Sequence, residues 1–325
     1  MKRNELGHTG LQVSELSLGT LILSKLQARL TIEEGALIIK KALNLGINFI
    51  DSGTSYATQE HIREGLRGAK DQVVISTKTR QKTYDLARED FENSLRELGR
   101  DYIDLYQLHL IESARDLLER RGALEFLLEC KQHGLIRAIG ASVHNVEPAR
   151  AIVAELEIDV IFPILNHKGL GIMDGSIDDM IHVCHQADAR GMGIMVMKPL
   201  GGGHLRKSPK EAFDFIQRLG IVDSICVGMK SSSEVECNVN LIEGQNVSWE
   251  TLAQLETVSR RINVNHLCRG CGNCLEACVQ GALSIDISKA NKDLGKKGQA
   301  VIDRDKCILC GYCVELCPEF SIRVV

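Results

Sequence analysis

The sequence predicts an α/β chain in which a (β/α)8 TIM barrel is followed by a small cysteine-rich domain. Two observations predict this arrangement. Short apolar runs alternate with amphipathic helical stretches from Leu16 to about Asn240, and eight of the twelve cysteines then fall between Cys268 and Cys317. Because the composition changes abruptly near residue 263, we assign residues 1–262 to the barrel and 263–325 to the second domain.

Eight apolar runs have the length of buried strands. In chain order they are LSLGT, INFID, VVIST, YIDLYQLH, IRAIGAS, VIFPIL, GIMVMK and SICVG. Helical segments such as TIEEGALIIKKALNLG separate them, which predicts a parallel sheet covered on both faces, and eight units predict closure into a barrel. An open doubly wound sheet would need a glycine-rich dinucleotide turn after the first strand, and LGTLILSK contains no G-x-G-x-x-G.

Composition and charge exclude several classes of protein. Hydrophobic residues make up 44% and charged residues 25% of the chain, as in an ordinary globular protein. A net charge of -4 favours neither a nucleic-acid partner nor a membrane surface. No apolar run reaches the roughly 18 residues of a membrane span, and MKRNELGHTG lacks the apolar region of a secretory signal. We therefore predict a cytoplasmic protein.

The clustered cysteines form a repeated motif. The spacing C-x2-C-x2-C-x3-C occurs at residues 268–278 and again at 307–317. A disulfide framework would be unusual in a reducing compartment, so these cysteines are predicted to bind metal. The other four lie singly in the barrel and are predicted to be small hydrophobic core residues; they are Cys130, Cys184, Cys226 and Cys237.

The motif predicts two [4Fe–4S] clusters, because thiolates at this spacing hold three corners of one cubane while the fourth cysteine reaches the other cluster. Cluster I then takes Cys268, Cys271, Cys274 and Cys317. Cluster II takes Cys307, Cys310, Cys313 and Cys278. The alternative is two four-cysteine zinc sites, which usually come as two-cysteine knuckles separated by longer spacers.

Residues 263–325 resemble the bacterial two-cluster ferredoxin domain, which implies a small α+β ferredoxin-like fold. Two features depart from that family. Val279 follows the first motif where the family usually has proline, whereas Pro318 follows the second. The segment KANKDLGKKGQ at 289–299 also lengthens the link between the motifs. Neither departure touches a predicted ligand.

Polar residues stand at the ends of the first barrel strands. Asp51 and Tyr56 follow INFI, Lys78 follows VVIST, and His109 follows LYQL. In a (β/α)8 barrel the chemistry occurs at this edge. In the motifs FIDSGTSY, STK and LYQLH these four residues resemble the catalytic tetrad of the aldo-keto reductase family, over roughly residues 1–250.

The resemblance implies a role for each residue of this tetrad. Tyr56 donates a proton to a substrate carbonyl while a nicotinamide delivers hydride. The Lys78 ammonium favours the phenolate and lowers the tyrosine pKa from about 10. Asp51 holds that ammonium, and His109 orients the carbonyl oxygen.

The resemblance also implies contacts to NAD(P)H in the motifs IGASVHN, KPLGGG and VGMKSSSEVECN. Ser142, Asn145 and Asn166 would hold the carboxamide, and Asn238 matches the family's adenine-side asparagine. The glycines of KPLGGG would approach the pyrophosphate unless they form a plain strand-to-helix turn. The full predicted set is Gly19, Thr20, Ser142, Asn145, Asn166, Lys198, Leu200, Gly201, Gly202, Gly203, Gly228, Lys230 and Asn238. Glu234 stands where NADP-dependent members often have arginine, although Lys230 could compensate, so both NADH and NADPH stay open.

The two domains together allow three hypotheses, because a nicotinamide moves two electrons and each cluster moves one. The favoured one is an NAD(P)H-dependent oxidoreductase acting on a small carbonyl or alcohol, with clusters that serve electron transfer to a possible redox partner protein. A second hypothesis places a flavin in the barrel mouth, where it would convert two-electron transfer into one-electron transfer. A third is a non-catalytic redox sensor or electron-transfer subunit. The loop NHKGLGIMDGSIDD either covers the mouth or is an ordinary surface loop.

Overall fold

Eight parallel strands close into a barrel, as the sequence predicts. The computed structural model describes residues 1–69, 73–172, 174–203, 205–206, 208–256, 262–264, 268–308, 311–317 and 321–324. The barrel strands are β3 (Leu16–Gly19), β4 (Phe49–Asp51), β5 (Val74–Thr79), β6 (Ile103–Ile111), β7 (Ile136–Val143), β8 (Val160–Pro163), β9 (Gly193–Met197) and β10 (Ser224–Gly228). Each apolar run of the sequence supplies one of these strands, and β10 pairs with β3 to close the ring.

A short hairpin precedes the barrel and packs against the starts of its strands. It consists of β1 (Arg3–Glu5) and β2 (Gln12–Ser14), which pair antiparallel. Gly7 between them has a φ of +52°, and a Cβ atom there would lie 2.2 Å from the backbone nitrogen of Gly193. Only glycine allows this close approach. The hairpin therefore lies at the end of the barrel opposite the strand ends that carry the predicted tetrad.

Helices alternate with the strands and cover the outside of the barrel. They are α1 (Ile32–Asn44), α2 (Gln59–Gly65), α3 (Tyr84–Leu98), α4 (Ala114–Glu119), α5 (Arg121–Gln132), α6 (Val146–Ala154), α7 (Ile177–Ala189), α8 (Pro209–Leu219), α9 (Ser232–Ile242) and α10 (Trp249–Glu256). The start of α1 follows from its sequence, because Thr31 accepts from the backbone N–H of Glu34 while the Glu34 carboxylate accepts from that of Thr31.

Two layers of apolar side chains hold the barrel together. One fills the space between strands and helices, and the other fills the barrel interior with residues such as Phe49, Leu105 and Met195. The four single cysteines are buried, which confirms their prediction as core residues. No helix in the described part of the chain is both long and apolar enough to cross a membrane.

In its described residues the cysteine-rich domain contains two small antiparallel sheets, two short α-helices and a 3₁₀ turn at Ile287–Lys289. Strand β11 (Ile262–Val264) pairs with β14 (Ile322–Val324), and β12 (Leu283–Asp286) pairs with β13 (Gln299–Ile302). Helices α11 (Asn273–Glu276) and α12 (Tyr312–Glu315) each lie inside one cysteine motif at equivalent positions. The internal repeat of the sequence is therefore also a repeat of structure, and the proposed domain boundary at 262/263 falls within β11.

Candidate active site and cluster cavities

The four residues of the predicted tetrad meet in one cavity at the carboxyl ends of the barrel strands. Asp51, Tyr56, Lys78 and His109 all line this cavity, which has a volume of about 170 Å³. Strands β4, β5 and β6 are neighbours in the ring, so residues distant in sequence reach the same edge. The cavity is the candidate active site, and we call it the mouth cavity.

A buried ion pair lies at its base. The Lys78 ammonium donates to both carboxylate oxygens of Asp51 at 2.7 Å and to the carbonyl of Ser52. Ser76 Oγ donates to Asp51 Oδ1 at 2.9 Å, and Gln107 Nε2 donates to Ser76 Oγ at 2.6 Å. Burial raises the pKa of Asp51, and the Lys78 charge acts in the opposite direction. These bonds fix the ammonium, which lies 5.3 Å from the centre of the Tyr56 ring.

Tyr56 and His109 face each other beside this pair. The Tyr56 hydroxyl lies 3.3 Å from His109 Nε2, and the two rings meet edge to face at 84°. The backbone of His109 is held from behind, because Arg120 Nη1 donates to its carbonyl at 2.9 Å and Asp116 pairs with the same guanidinium. A carbonyl oxygen placed between Tyr56 and His109 would reach both polar atoms.

The environment of His109 keeps its imidazole neutral. Burial, followed by the positive charges of Lys78, Arg80, Arg120 and Lys198, lowers the pKa of His109 well below its ordinary value. At neutral pH the ring therefore has one N–H donor and one acceptor nitrogen. A neutral ring can bind a carbonyl oxygen without competing with Tyr56 as the proton source.

This shift predicts a dependence of stability on pH. The unfolded chain protonates His109 below about pH 6.5, whereas the folded state does not, so the unfolding free energy should fall as the pH decreases below that value. His109 alone should contribute up to about 1.4 kcal/mol per pH unit to this slope. We expect His109→Gln to reduce it, as measured by anaerobic urea unfolding at about pH 5.5 and about pH 7.5. Equal pH dependence in both proteins would contradict the assignment of a neutral His109.

Backbone strain marks the same edge of the barrel, and the sequence pattern does not reveal it. Among the described non-glycine residues, four have a positive φ, and three of these adjoin the mouth cavity. Ala57 follows Tyr56 with a φ of +53°, Leu110 follows His109 with +55°, and Lys198 itself has +56°. Such strained conformations cluster at functional sites.

The predicted cofactor contacts divide into two groups. Six of them line the mouth cavity: Gly19, Ser142, Lys198, Leu200, Gly202 and Gly228. Six further described residues do not: Thr20, Asn145, Asn166, Gly201, Lys230 and Asn238. Gly203 ends the same 3₁₀ turn as Gly201 and Gly202. Both groups stay predictions for NAD(P)H contacts.

Asn166, a predicted contact, and Glu234, the residue that bears on the choice between NADH and NADPH, have local structural roles. Asn166 is fully buried, accepts from the backbone N–H of Leu170 at 3.0 Å and donates to the Leu170 carbonyl at 2.9 Å. Its loop turns toward KPLGGG, because a Cβ atom on Gly201 would lie 2.8 Å from Leu170 Cδ1. Glu234 accepts from the backbone N–H of Lys230 at 2.6 Å, within the first turn of α9.

The cysteine-rich domain contributes a residue to the mouth cavity that sequence reasoning missed. Tyr312 lines the cavity together with the tetrad. Its ring centroid lies 4.5 Å from that of His144 and 3.5 Å from the Lys198 ammonium nitrogen. The pattern of cysteines gives no signal for this contact, because it depends on how the two domains pack.

The cysteines of cluster I lie around one cavity within their domain. This cavity is lined by Cys268, Cys271, Cys274 and Cys317, three from the first motif and one from the second. Cys271 is exposed, and the other three are buried. The structure thus brings together the four residues that the sequence assigns to cluster I.

A second cavity holds the cysteines of cluster II. It is lined by Cys278, Cys307 and Cys313, again with one member from the opposite motif. Cys310 lies outside the described residues. The exchange of one cysteine between the motifs is the arrangement that the spacing predicts.

Backbone N–H groups point at several cysteine sulfurs. Ala282 N donates to Cys278 Sγ at 3.3 Å, and Ser321 N donates to Cys317 Sγ at 3.1 Å. These two bonds occupy equivalent positions in the repeat. Ala300 N adds a bond to Cys268 Sγ at 3.4 Å. Such donors stabilise thiolates bound to iron and tune the potential of a cluster.

The donor sets fit cubane clusters. Thiols that surround a cavity, with N–H groups aimed at the sulfurs, suit a cubane that fills the space between them. One metal ion instead requires ligand atoms that converge on a point. In the ranges that the structure describes, no three His, Cys, Asp or Glu side chains converge in that way.

Two families of known proteins match the chain, one in each of its two parts. The profile described as Aldo/keto reductase family matches residues 15–219, and the profile described as 4Fe-4S dicluster domain matches residues 267–320. Together they match the two domains that the sequence predicts.

Individual relatives resemble the barrel. L-galactose dehydrogenase of Arabidopsis thaliana is 23% identical over 299 residues, covering 78% of this chain and 92% of that protein. Aldo-keto reductase YhdN of Bacillus subtilis is 31% identical over 182 residues, covering 51% of this chain and 54% of that protein. The chain thus spans about half the length of this second relative. The solved aldo-keto reductase AKR11C1 of Bacillus halodurans has the same fold, with a TM-score of 0.65 at 22% identity over 79% of this chain and 95% of that one.

Proposed function

Because the chain belongs to the aldo/keto reductase family, we propose that it reduces a small aldehyde or ketone with NAD(P)H, or oxidises the corresponding alcohol. The reaction takes place in the mouth cavity. The two [4Fe–4S] clusters serve one-electron transfer, and the protein acts in the cytoplasm.

One observation carries this proposal: the Tyr56 hydroxyl and His109 Nε2 lie 3.3 Å apart beside an ammonium that is fixed by a buried carboxylate. A proton donor, a neutral hydrogen-bonding ring and a nearby positive charge are what carbonyl reduction needs around the oxygen atom. The name of one relative, L-galactose dehydrogenase, supports this class of reaction.

Each residue of the tetrad has a defined part. His109 Nε2 and the Tyr56 hydroxyl bind the carbonyl oxygen and hold the substrate in one orientation. As negative charge develops on that oxygen, Tyr56 gives up its proton. The Lys78 ammonium stabilises the phenolate that remains, and Asp51 keeps the ammonium in place.

When bound, NAD(P)H supplies the hydride. The residues that would hold its nicotinamide end are those of the predicted set that line the mouth cavity, in particular Ser142 and Lys198. Gly201 and Gly202 would let the backbone approach a phosphate, since their φ values are +54° and +66°. Asn238, which lies outside the cavity lining, would belong to the adenine end.

The proposal is tested by aldehyde-dependent oxidation of NADH or NADPH with protein purified without oxygen. We expect a stoichiometric alcohol product, identified by mass spectrometry. If neither nicotinamide is oxidised with any of a panel of small aldehydes and ketones, while the protein contains about eight iron atoms per chain, the catalytic proposal fails.

Each cluster is proposed to bind to one of the two sets of four cysteines defined above. Cluster I would be the one in contact with a redox partner protein, because its ligand Cys271 is exposed. Cluster II would be nearer the mouth cavity, because Tyr312 directly precedes its ligand Cys313 and lines that cavity.

Removing one exposed ligand should therefore remove one cluster. We expect Cys271→Ala to lower the iron content from about eight to about four atoms per chain, as measured by iron and sulfide analysis of protein made without oxygen. Cys237→Ala is the matched control, since Cys237 is buried in the barrel, and it should retain full iron. A full iron content in Cys271→Ala would contradict the ligand assignment.

A further inference from the structure

We propose that Tyr312, a residue of the cluster domain, forms the outer wall of the substrate pocket and limits the size of the carbonyl compound that binds. This inference rests on the proposed function, because it concerns the substrate of the same site. It assigns to the cluster domain a role in substrate selection that is separate from electron transfer.

The contacts of Tyr312 place its ring at the mouth of the barrel. His144 follows strand β7 and Lys198 follows strand β9, so both belong to the edge that carries the tetrad. The Tyr312 ring contacts the His144 ring at 4.5 Å with a tilt of 45°. The second contact of the Tyr312 ring is with the Lys198 ammonium, which lies 3.5 Å from the ring centre in a cation–π geometry. Two barrel residues therefore hold this ring.

The backbone near Tyr312 also packs against the barrel. A Cβ atom on Gly311 would lie 3.5 Å from the Gln27 side-chain nitrogen, and Gln27 lines the mouth cavity as well. Leu26, the preceding residue, packs against the apolar core of the cluster domain. The loop after strand β3 and the start of α12 thus meet, and this contact fixes the position from which the Tyr312 side chain projects.

The mouth cavity lies between the strand ends of the barrel and the cluster domain. The polar atoms of Tyr56 and His109 are at the strand ends, whereas Tyr312 arrives from the neighbouring domain. Apolar side chains line the space as well, among them Phe162 and Met197. A substrate whose carbonyl oxygen reaches Tyr56 places its neighbouring atoms in this cavity, beside Tyr312. Small aldehydes and ketones with a short or single-ring apolar group are the compounds that fit.

Truncation of the ring should widen the pocket. In Tyr312→Ala the space of the aromatic ring becomes available to the substrate, whereas Tyr312→Phe keeps the ring. His144→Ala removes the barrel-side support of the same wall without changing the cluster domain. Leu316→Ala is the control, since Leu316 lies just after α12 and is exposed.

The experiment measures binding of two primary amides, benzamide and naphthalene-2-carboxamide, by calorimetry in the presence of the nicotinamide that the protein binds. These amides have the carbonyl of a substrate but are not reduced. For Tyr312→Ala we expect the affinity ratio of the larger to the smaller amide to rise about tenfold. His144→Ala should shift it in the same direction, and Tyr312→Phe and Leu316→Ala should leave it within about twofold.

The outcomes separate this inference from the proposed function. An unchanged ratio in Tyr312→Ala with full iron content overturns the inference. If Tyr312→Ala loses iron, the test passes to His144→Ala, and an unchanged affinity ratio in that variant overturns the inference. A wild-type protein that binds neither amide also overturns it. If the wild type binds amides in the expected way but oxidises no nicotinamide with aldehydes, the proposed function fails while the role of Tyr312 stands.

Discussion

Replacing Tyr56 by phenylalanine should lower kcat for carbonyl reduction by about 100-fold or more, since a positioned proton donor contributes factors of that size. The variant removes one oxygen atom and keeps the ring that packs edge to face on His109. Binding of the nicotinamide should be unchanged, because no predicted cofactor contact is altered. Steady-state kinetics with a small aldehyde, together with a nicotinamide titration followed by fluorescence, measure both effects.

Tyr84→Phe is the matched control for this variant. The Tyr84 hydroxyl donates to Glu129 at 2.6 Å on the outside of the barrel, and Tyr84 does not line the mouth cavity. We expect kcat to stay within about twofold of the wild type in this control, as is usual for a surface change away from the site. A Tyr56→Phe protein that retains full activity would remove Tyr56 from the role of proton donor.

Replacing Lys78 by methionine should reduce both activity and stability. Lys78 is only 1% exposed and bonds to both oxygens of Asp51. Its removal leaves a buried carboxyl without its cation, and breaking a buried pair in this way costs about 3–5 kcal/mol of unfolding free energy. The phenolate of Tyr56 also loses the charge that stabilises it, so kcat should fall by about 100-fold.

Lys210→Met separates the buried pair from an exposed one of similar length. The Lys210 ammonium lies 2.6 Å from an Asp214 oxygen, and the two side chains are 64% and 31% exposed. Exposed pairs contribute about 1 kcal/mol or less, so anaerobic urea unfolding should show a small change and activity should persist. Equal losses of stability in the two variants would show that the Lys78–Asp51 pair has no special role.

The barrel could be predicted from the sequence because its signal is local and repeated. Each of the eight apolar runs became one strand, and a continuous apolar run of strand length is what a doubly covered parallel sheet requires. The candidate polar residues stand at or just after strand ends, and the structure brings them to one cavity, whereas their grouping as a catalytic tetrad comes from the resemblance to the aldo-keto reductases. The cysteine spacing likewise predicted two groups of residues, each with one member exchanged between the motifs, and the structure gathers the described cysteines in that way.

Other features of the site could not be predicted, because they depend on packing between distant segments. Leu110 and Lys198 have a positive φ, a conformation that neither residue type favours, so it depends on the surrounding structure. Asn166 stays a predicted cofactor contact, and the bonds of its amide to its own loop could not be read from the sequence. Tyr312 enters the mouth cavity only because the cluster domain packs against the barrel.

Isotope labelling gives the most direct test of hydride transfer in the mouth cavity, because it traces the hydrogen that the nicotinamide gives to the product. Protein prepared without oxygen is given a small aldehyde and NADH or NADPH labelled with deuterium at the transferable position of C4, and the alcohol is analysed by mass spectrometry and NMR. Direct transfer beside Tyr56 predicts that the deuterium appears on the carbinol carbon. An alcohol that carries hydrogen from the solvent at that carbon would contradict the account and is the result expected if electrons pass through a flavin.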